Sequence, residues 1–318
     1  MVGLFYQLDG KRLEEQYVRY LSDFMDWPQR DHSQQWLIFE ENIGPYLSID
    51  ETSLSQGELY TVVTNKEARG KKGSLVAIIK GTQSERIIEV LKQISKRKRN
   101  KVKEVTLDLA PTMERIASKS FPNASLVSDR FHVQQLASDA VQQLRIEYRW
   151  LAIDQENNEM ALAKELNKNH VPDILENGDT LKQLLARSRY LLFKDESKWA
   201  PSQAHRAQIL FRLYPTLETA YTLSRKLSYI FSNTKDKGIA LTRLARWYEA
   251  VERSGIKAFG TVSRSIQNHY LNILNYFDNR STNASAESFN AKIKALRTQF
   301  RGVRNISFFM YRLSKIYA

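Results

Sequence analysis

Apolar residues recur at two periods along this chain, and the switch between them divides it. Up to the Gly44-Pro45 break the pattern is helical and acidic. Short strand patterns follow at 46–50 (YLSID) and 58–64 (ELYTVVT), joined by a polar turn at Ser55-Gln56-Gly57 as in a hairpin. A third, 74–79 (SLVAII), comes after the basic, glycine-flanked turn ARGKKG. Ile87, Ile88, Leu91 and Ile94 then fall at helical spacing and predict a helix from about 83 to 98. Residues 102–107 (VKEVTL) alternate as a strand that ends at Asp108. A short helix over 112–120 leads to a fifth strand, 125–128 (SLVS), ending at Asp129.

From 132 to about 277 the pattern is helical throughout, with no strand signal and no fixed-period repeat. A large helical insertion is the simplest reading. From Thr282 onward the chain predicts an amphipathic basic helix and a second apolar-basic one. Phe289, Ile293, Leu296 and Phe300 lie at i, i+4, i+7 and i+11, one helical face; Glu287, Asn290 and Lys294 lie on the other side, and Thr282-Asn283 supplies N-cap chemistry. The pattern predicts an α/β fold with four parts: an acidic helical arm (1–44), a first sheet segment (45–133), a helical insertion (134–278) and closing helices (279–318).

Composition narrows the partners. The 318 residues include no cysteine, which excludes disulfides, thiol chemistry and Cys-based zinc sites and leaves oxygen or imidazole to hold any metal. No apolar run approaches the ~18–20 residues of a membrane span, and the N-terminus lacks the order of a signal peptide, so cytoplasmic residence is expected. The net charge of +13 is uneven: residues 1–60 hold 4 Lys/Arg against 11 Asp/Glu, leaving 44 against 24, or +20, in the other 258. So basic a body points to a polyanion, nucleic acid first among them, with ribosomal and RNA-binding proteins sharing the signature.

The chemistry rests on acids. Asp50 and Asp108 each end a short apolar strand, where functional side chains emerge at the carboxyl edge of a sheet; ordinary turn-starting aspartates look the same. Glu287 sits in the first turns of a packed helix, on its polar side between Asn and Lys, as a merely solvated glutamate also could. Together the three carboxylates suit hard divalent cations such as Mg²⁺, and two such ions can clamp the attacking and leaving oxygens of phosphoryl transfer.

Five stretches, YLSIDETSLSQGELYTVV, VTLDLAPTMERIASKSFPNASLVSDRFHV, RYLLFKDESKW, ILFRLYPTLETAYTL and ILNYFDNRSTNASAESFNAKIKALRTQFRGVRN, together resemble the DDE transposases of the ISL-three insertion-sequence family. The resemblance runs from about Tyr46 to the C-terminus, with SDRFH and TNASAESFNAKIK its most specific blocks. It implies a ribonuclease H-like mixed sheet interrupted by an all-helical insertion. By motif, Asp50 (IDE), Asp108 (LDLAP) and Glu287 (NASAESFN) take the three acidic positions, as catalytic residues and as ligands of two Mg²⁺ or Mn²⁺ ions, Asp50 bridging. Asp129 and His132 of SDRFH match an Asp-x-x-His motif, and Asp129 competes with Asp108 for the second acid position; Asp108 is preferred. Asp129, His132 and Asn290 are then auxiliary residues.

The implied activity is DNA cleavage at transposon ends and strand transfer into target DNA, by a homo-oligomer assembled on double-stranded DNA and associated with the nucleoid when bound. Alternatives are a structure-specific nuclease or resolvase of the same fold, or an inactive DNA-binding remnant. Arg130, Lys294, Arg297, Arg301 and Arg304 are candidate DNA contacts, as is the run Lys96-Arg97-Lys98-Arg99, which also suits a helix C-terminus. Of Trp150, Trp199 and Trp247, most are expected in the core, leaving room for one to stack on an unpaired base. Longer members of the family carry an N-terminal Cys-rich zinc module and a helix-turn-helix. Neither is seen before Gly44, so end recognition is expected from a separately encoded protein, the alternative being a truncated element.

Overall fold

The computed structural model describes residues 9–55, 57–300 and 305–318. The chain divides into two units, Met1–Asp129 with Ser281–Ala318, and Arg130–Arg280. The first is built on a six-stranded sheet of β1 (Trp36–Ile38), β2 (Tyr46–Ser55), β3 (Glu58–Asn65), β4 (Leu75–Lys80), β5 (Glu104–Leu107) and β6 (Ser125–Ser128), in the order β1-β4-β3-β2-β5-β6. The pairs from β1 to β2 are antiparallel; β2–β5 and β5–β6 are parallel. This mixed α/β arrangement is compatible with a ribonuclease H-like fold.

Strand alternation explains which side chains face which layer. From β2, Leu47 and Ile49 enter one core with α2 (Ser84–Leu91) and α4 (Pro111–Ser120), through Ile87, Leu91 and Ile116. The short helices α1 (Gly10–Gln16) and α3 (Lys96–Arg99) complete this part of the unit.

Three expectations need correction. The strand expected over 46–50, ending at Asp50, continues to Ser55 because its second half pairs with Glu58–Val62 of β3, so Asp50 lies inside β2. The segment before Gly44 is not helical throughout: it includes β1, whose Trp36–Ile38 pairs with Ala77–Ile79 of β4 and buries Leu37 completely. Three residues are too few to show alternation, and the strand exists because β4 offers an open edge. The helix expected over 83–98 is two, because the chain turns at Lys92 and Ser95 is extended, while buried Ile94 plugs the core. In the basic run that follows, Lys98 pairs with Glu40 and Arg99 donates to the carbonyls of Ile94 and Ser120; Lys96 and Arg97 are exposed.

Among the described residues the second unit contains only helices: α5 (Arg130–Glu165), α6 (Leu181–Arg187), α7 (Pro201–Leu213), α8 (Pro215–Asn233), α9 (Lys237–Ser254), α10 (Lys257–Asn268) and α11 (Tyr270–Asn279), with short 3-10 turns. Its core buries Phe231, Trp247, Phe259, Ile266 and Tyr276. Buried Asp179 pairs with Arg187 and Arg206; burial raises its pKa, but the two guanidiniums outweigh that and hold it below the ordinary value. Trp247 donates to the Leu223 carbonyl in the core and half-buried Trp199 to that of Leu191, whereas Trp150 is 60% exposed.

The chain re-enters the first unit as α12 (Ala284–Gln299) and α13 (Ile306–Tyr317). Phe289, Ile293 and Leu296 pack with Phe309, Met310 and Leu313 against Leu54, Tyr60, Val62 and Ile78, on the opposite face of the sheet from α2 and α4. Phe300, expected on the same apolar face, is 37% exposed and touches only the edge of that core, at the ring of Phe309. Phe289→Ala should therefore cost about 3–5 kcal/mol in chemical denaturation, and Phe300→Ala under about 1 kcal/mol. Equal losses would mean that α12 is not anchored through its Phe289 face.

Candidate active site

Alternation along β2 sends Ser48, Asp50 and Thr52 to the α12 side, opposite Leu47 and Ile49. The parallel ladders then decide what stands beside Asp50. β2 and β5 pair Tyr46 with Glu104 and Ser48 with Thr106; continued by two residues, that register sets Asp108 beside Asp50. β5 and β6 pair Leu107 with Ser128, and the Asp129 N–H donates to the Leu107 carbonyl at 3.0 Å, setting Asp129 beside Asp108. Three aspartates thus share one row across adjacent strands, which lie roughly 5 Å apart. Asp50 and Asp108 are half-buried, and Asp129 is 1% exposed.

Helix α12 crosses this row. Asn290 donates through Nδ2 to Asp50 Oδ2 at 2.7 Å and to the Glu51 carbonyl at 3.2 Å, while the other oxygen of Asp50 accepts the Glu51 N–H at 2.8 Å. Asn283 donates through Nδ2 to Asp108 Oδ1 at 3.3 Å. Glu287 lies one turn beyond Asn283 and one turn before Asn290, on the same stripe of the helix, and is exposed. Asn283 occupies the N-cap position expected from the sequence, but its side chain makes no capping bond and is spent on Asp108 instead.

The other expected residues are distributed differently. Lys294 is exposed and Arg297 half-buried farther along α12. Arg301 and Arg304 lie outside the described residues. Arg130 and His132 belong to the first turn of α5 in the second unit, where the Arg130 guanidinium lies 6.0 Å from the centre of the Tyr276 ring. Among the described residues, no three Asp, Glu or His side chains converge closely enough to form a ready ligand set for a metal ion.

Two residues not singled out in the sequence join the site. Glu51, next to Asp50, has its pKa raised above 4.5 by burial first and by the charge of Asp108 second. Its only sequence signal was a second acid in IDE. Lys66 reaches Thr106 Oγ1 at 2.8 Å and Glu104 Oε1 at 3.4 Å. Burial lowers its pKa, against the opposing pull of Glu104 and Asp129. Nothing local announces Lys66; only the β3–β2–β5 arrangement brings it under the row.

Asp50 within β2 and Asp108 and Asp129 just past the ends of β5 and β6 thus form one row beneath a helix that carries another acid, an arrangement suited to metal-assisted phosphoryl transfer. Comparison with known families is more specific: a family model described as a transposase, that of the ISL-three DDE type, matches residues 47–313. The chain belongs to that family. It is similar to the transposase for insertion sequence element IS1001 of Bordetella parapertussis, 24% identical over 272 residues that cover 84% of this chain and 60% of the relative. It is also similar to the transposase for IS1557 of Mycobacterium tuberculosis, 25% identical over 270 residues covering 81% and 57%. The chain thus spans less than two thirds of the length of these relatives. No solved structure matches it.

The environment of Glu51 sets a pH dependence. Because its folded pKa lies above 4.5, the folded state holds the proton more tightly than the unfolded chain does. Its contribution to stability should be present below that range and be lost as pH rises through the raised value. Glu51→Gln should abolish that loss, so that the variant gains on the parent in denaturation midpoints as pH rises from 4.5 through the raised value. Parallel pH profiles for the two proteins would show that Glu51 carries no such burden.

Proposed function

We propose that this chain cleaves DNA at transposon ends and joins the freed strand to target DNA, using Asp50, Asp108 and Glu287. The observation that carries the reading is the row of aspartates crossed by α12, with Glu287 between the two asparagines that bond Asp50 and Asp108. In this reading the first unit is a ribonuclease H-like domain and the helical unit an insertion between β6 and α12.

Mg²⁺ or Mn²⁺ fits the residues present. The donors are all oxygen, as hard cations require, and the buried side-chain oxygens of Asn283 and Asn290 have no hydrogen-bond partner among the described residues. Held by Asp50, Asp108 and Glu287, two such ions would supply electrostatic activation of a water or 3′-hydroxyl and stabilise the leaving oxygen. The protein's own contribution is placement. Asp50 lies in β2 and Asp108 directly follows β5, strands whose backbone is held by the ladders, so their carboxylates are ordered before DNA arrives. Glu287 would complete the set from α12, the helix toward which Asp50 points. Asp129, deeply buried, attracts Lys66 beneath the row rather than meeting DNA. The phosphodiester backbone is gripped by the basic surface, of which Lys294 and Arg297 on α12 lie nearest to Glu287 along the chain.

Asp50→Ala, Asp108→Ala and Glu287→Ala should each abolish cleavage of end-sequence DNA and joining of a pre-cut end, leaving the fold and DNA affinity nearly intact. Activity should require Mg²⁺ or Mn²⁺, with Ca²⁺ permitting binding without turnover. Normal cleavage by Asp108→Ala beside a dead Asp129→Ala would move the second acid to Asp129. Full activity in excess EDTA would remove the ions from the mechanism, and cutting without joining would identify a nuclease.

The surplus of +20 beyond residue 60 should give DNA binding that weakens by a log–log salt slope of about −0.9 per neutralised phosphate. Contacts to phosphates carry no sequence information, so these residues should bind end-sequence and scrambled DNA within about tenfold of each other, against the ~10³-fold of a specific binder. Competition binding at near-physiological salt measures this, and strong discrimination would place base-reading contacts within these residues.

A further inference from the structure

We propose that Asn283 and Asn290 act as a two-point amide clamp, positioning residues that fix α12 and the two strand aspartates against one another. The activity arm of this proposal rests on the catalytic reading above; its structural arm does not.

The two asparagines are unusual in the same way. An asparagine at a helix N-cap ordinarily accepts from a backbone N–H of the first turn. Asn283 holds that position, is completely buried, and makes no capping bond; its N–H goes to Asp108. Asn290 lies in the helix interior, where asparagine is a poor helix former, and is 7% exposed beside the apolar Phe289 and Ile293. A buried amide is costly unless bonded, and its N–H goes to Asp50 and the Glu51 carbonyl. Both contacts therefore use the amide as a donor to a carboxylate, a stronger bond than one between neutral groups. They join segments 175 and 240 residues apart in sequence.

Their spacing has a consequence for Glu287. The two asparagines are seven positions apart, so both lie on one stripe of α12, two turns apart, with Glu287 between them. A helix held at both points cannot slide or roll without breaking one bond. The clamp thus sets where Glu287 stands and keeps Asp50 and Asp108 apart. It also orients each amide, because reversing it would turn the amide oxygen against a carboxylate oxygen. The oxygen left over on each asparagine is the buried atom without a partner noted above.

The test uses the full chain without metal. Asn290→Ala should lower the melting temperature by a few degrees, about 2–4 °C for a contact of this class, and should do so much less in an Asp50→Ala background. Asn283→Ala should behave likewise against Asp108→Ala. Additive effects in both cycles would overturn the clamp. Should Asn290→Ala fail to fold, two isosteric variants replace it. Asn290→Asp should destabilise by setting like charges together, and the exchange Asp50→Asn/Asn290→Asp should restore the melting temperature by swapping donor and acceptor. If Asn290→Asp is harmless, or the exchange no better than Asn290→Asp alone, the contact is only packing and the proposal falls. In cleavage assays Asn283→Ala and Asn290→Ala should raise the Mg²⁺ concentration for half-maximal rate about 10–100-fold with DNA affinity unchanged. Coupled melting cycles alongside normal cleavage by Asp50→Ala would keep the clamp while removing the catalytic reading.

Discussion

Backbone register between three parallel strands is the constraint on which the rest of this structure depends. Strands β5 and β6 have only four residues each, and their pairing with each other and with β2 is held by apolar residues that alternate toward the two helical layers. Leu47, Ile49, Val105 and Leu107 all fall into the core beneath α2 and α4. With those residues pinned, the row holding Asp50, Asp108 and Asp129 follows without further choice. A slip of one residue in β5 would exchange its faces, placing Val105 and Leu107 against α12 and Thr106 in the opposite core. The hydrophobic cost of that exchange protects the alignment of the acids, so packing energy far from the site maintains its geometry.

Gathering acids carries an electrostatic cost, and the unit offsets it with neutral donors and one half-buried cation. Asn290 and Asn283 answer Asp50 and Asp108, and Lys66 lies under the row against Glu104 and Thr106. Glu51 shows the residual cost, its pKa raised because burial and the charge of Asp108 both disfavour a second charge. Amide donors stabilise a carboxylate without cancelling its charge, which leaves the row negative for a cation. The basic residues are kept elsewhere, on exposed surface that suits a long polyanion.

The helical unit holds itself together by its own means. Its aromatic core and the buried Asp179 with its two arginines lie wholly within Arg130–Arg280. Because the chain leaves the first unit after Asp129 and returns at Ser281, α12 is remote in sequence from the sheet it covers. Apolar packing of Phe289, Ile293 and Leu296 supplies the adhesion of that helix, and the two asparagines supply its direction.

Much of the fold was legible in sequence because periodicity reports burial directly. The strands of β2 to β6, the helix at Pro111–Ser120 and the apolar face of α12 all follow from patterns of two and 3.6 residues. Asp108 and Asp129 could be named at strand ends for the same reason, and Glu287 because it opposed an apolar stripe, whereas Asp50, expected to end its strand, lies in the middle of β2 because pairing with β3 carries that strand on to Ser55. What local pattern could not carry is pairing between distant segments. Strand β1 has too few residues to declare itself and is defined by the edge of β4. The helix expected over 83–98 breaks because Ile94 has a core site to fill. Asn283 reads as a helix cap from its neighbours, yet the nearness of Asp108, 175 residues away, gives its amide a better partner. Lys66 is an unremarkable lysine until the sheet places it beneath β5. The sequence by itself determined which faces are apolar and which residues can carry charge. Only the tertiary structure decided which charges meet, because register and helix docking are set by summed packing across the unit and by no single local signal.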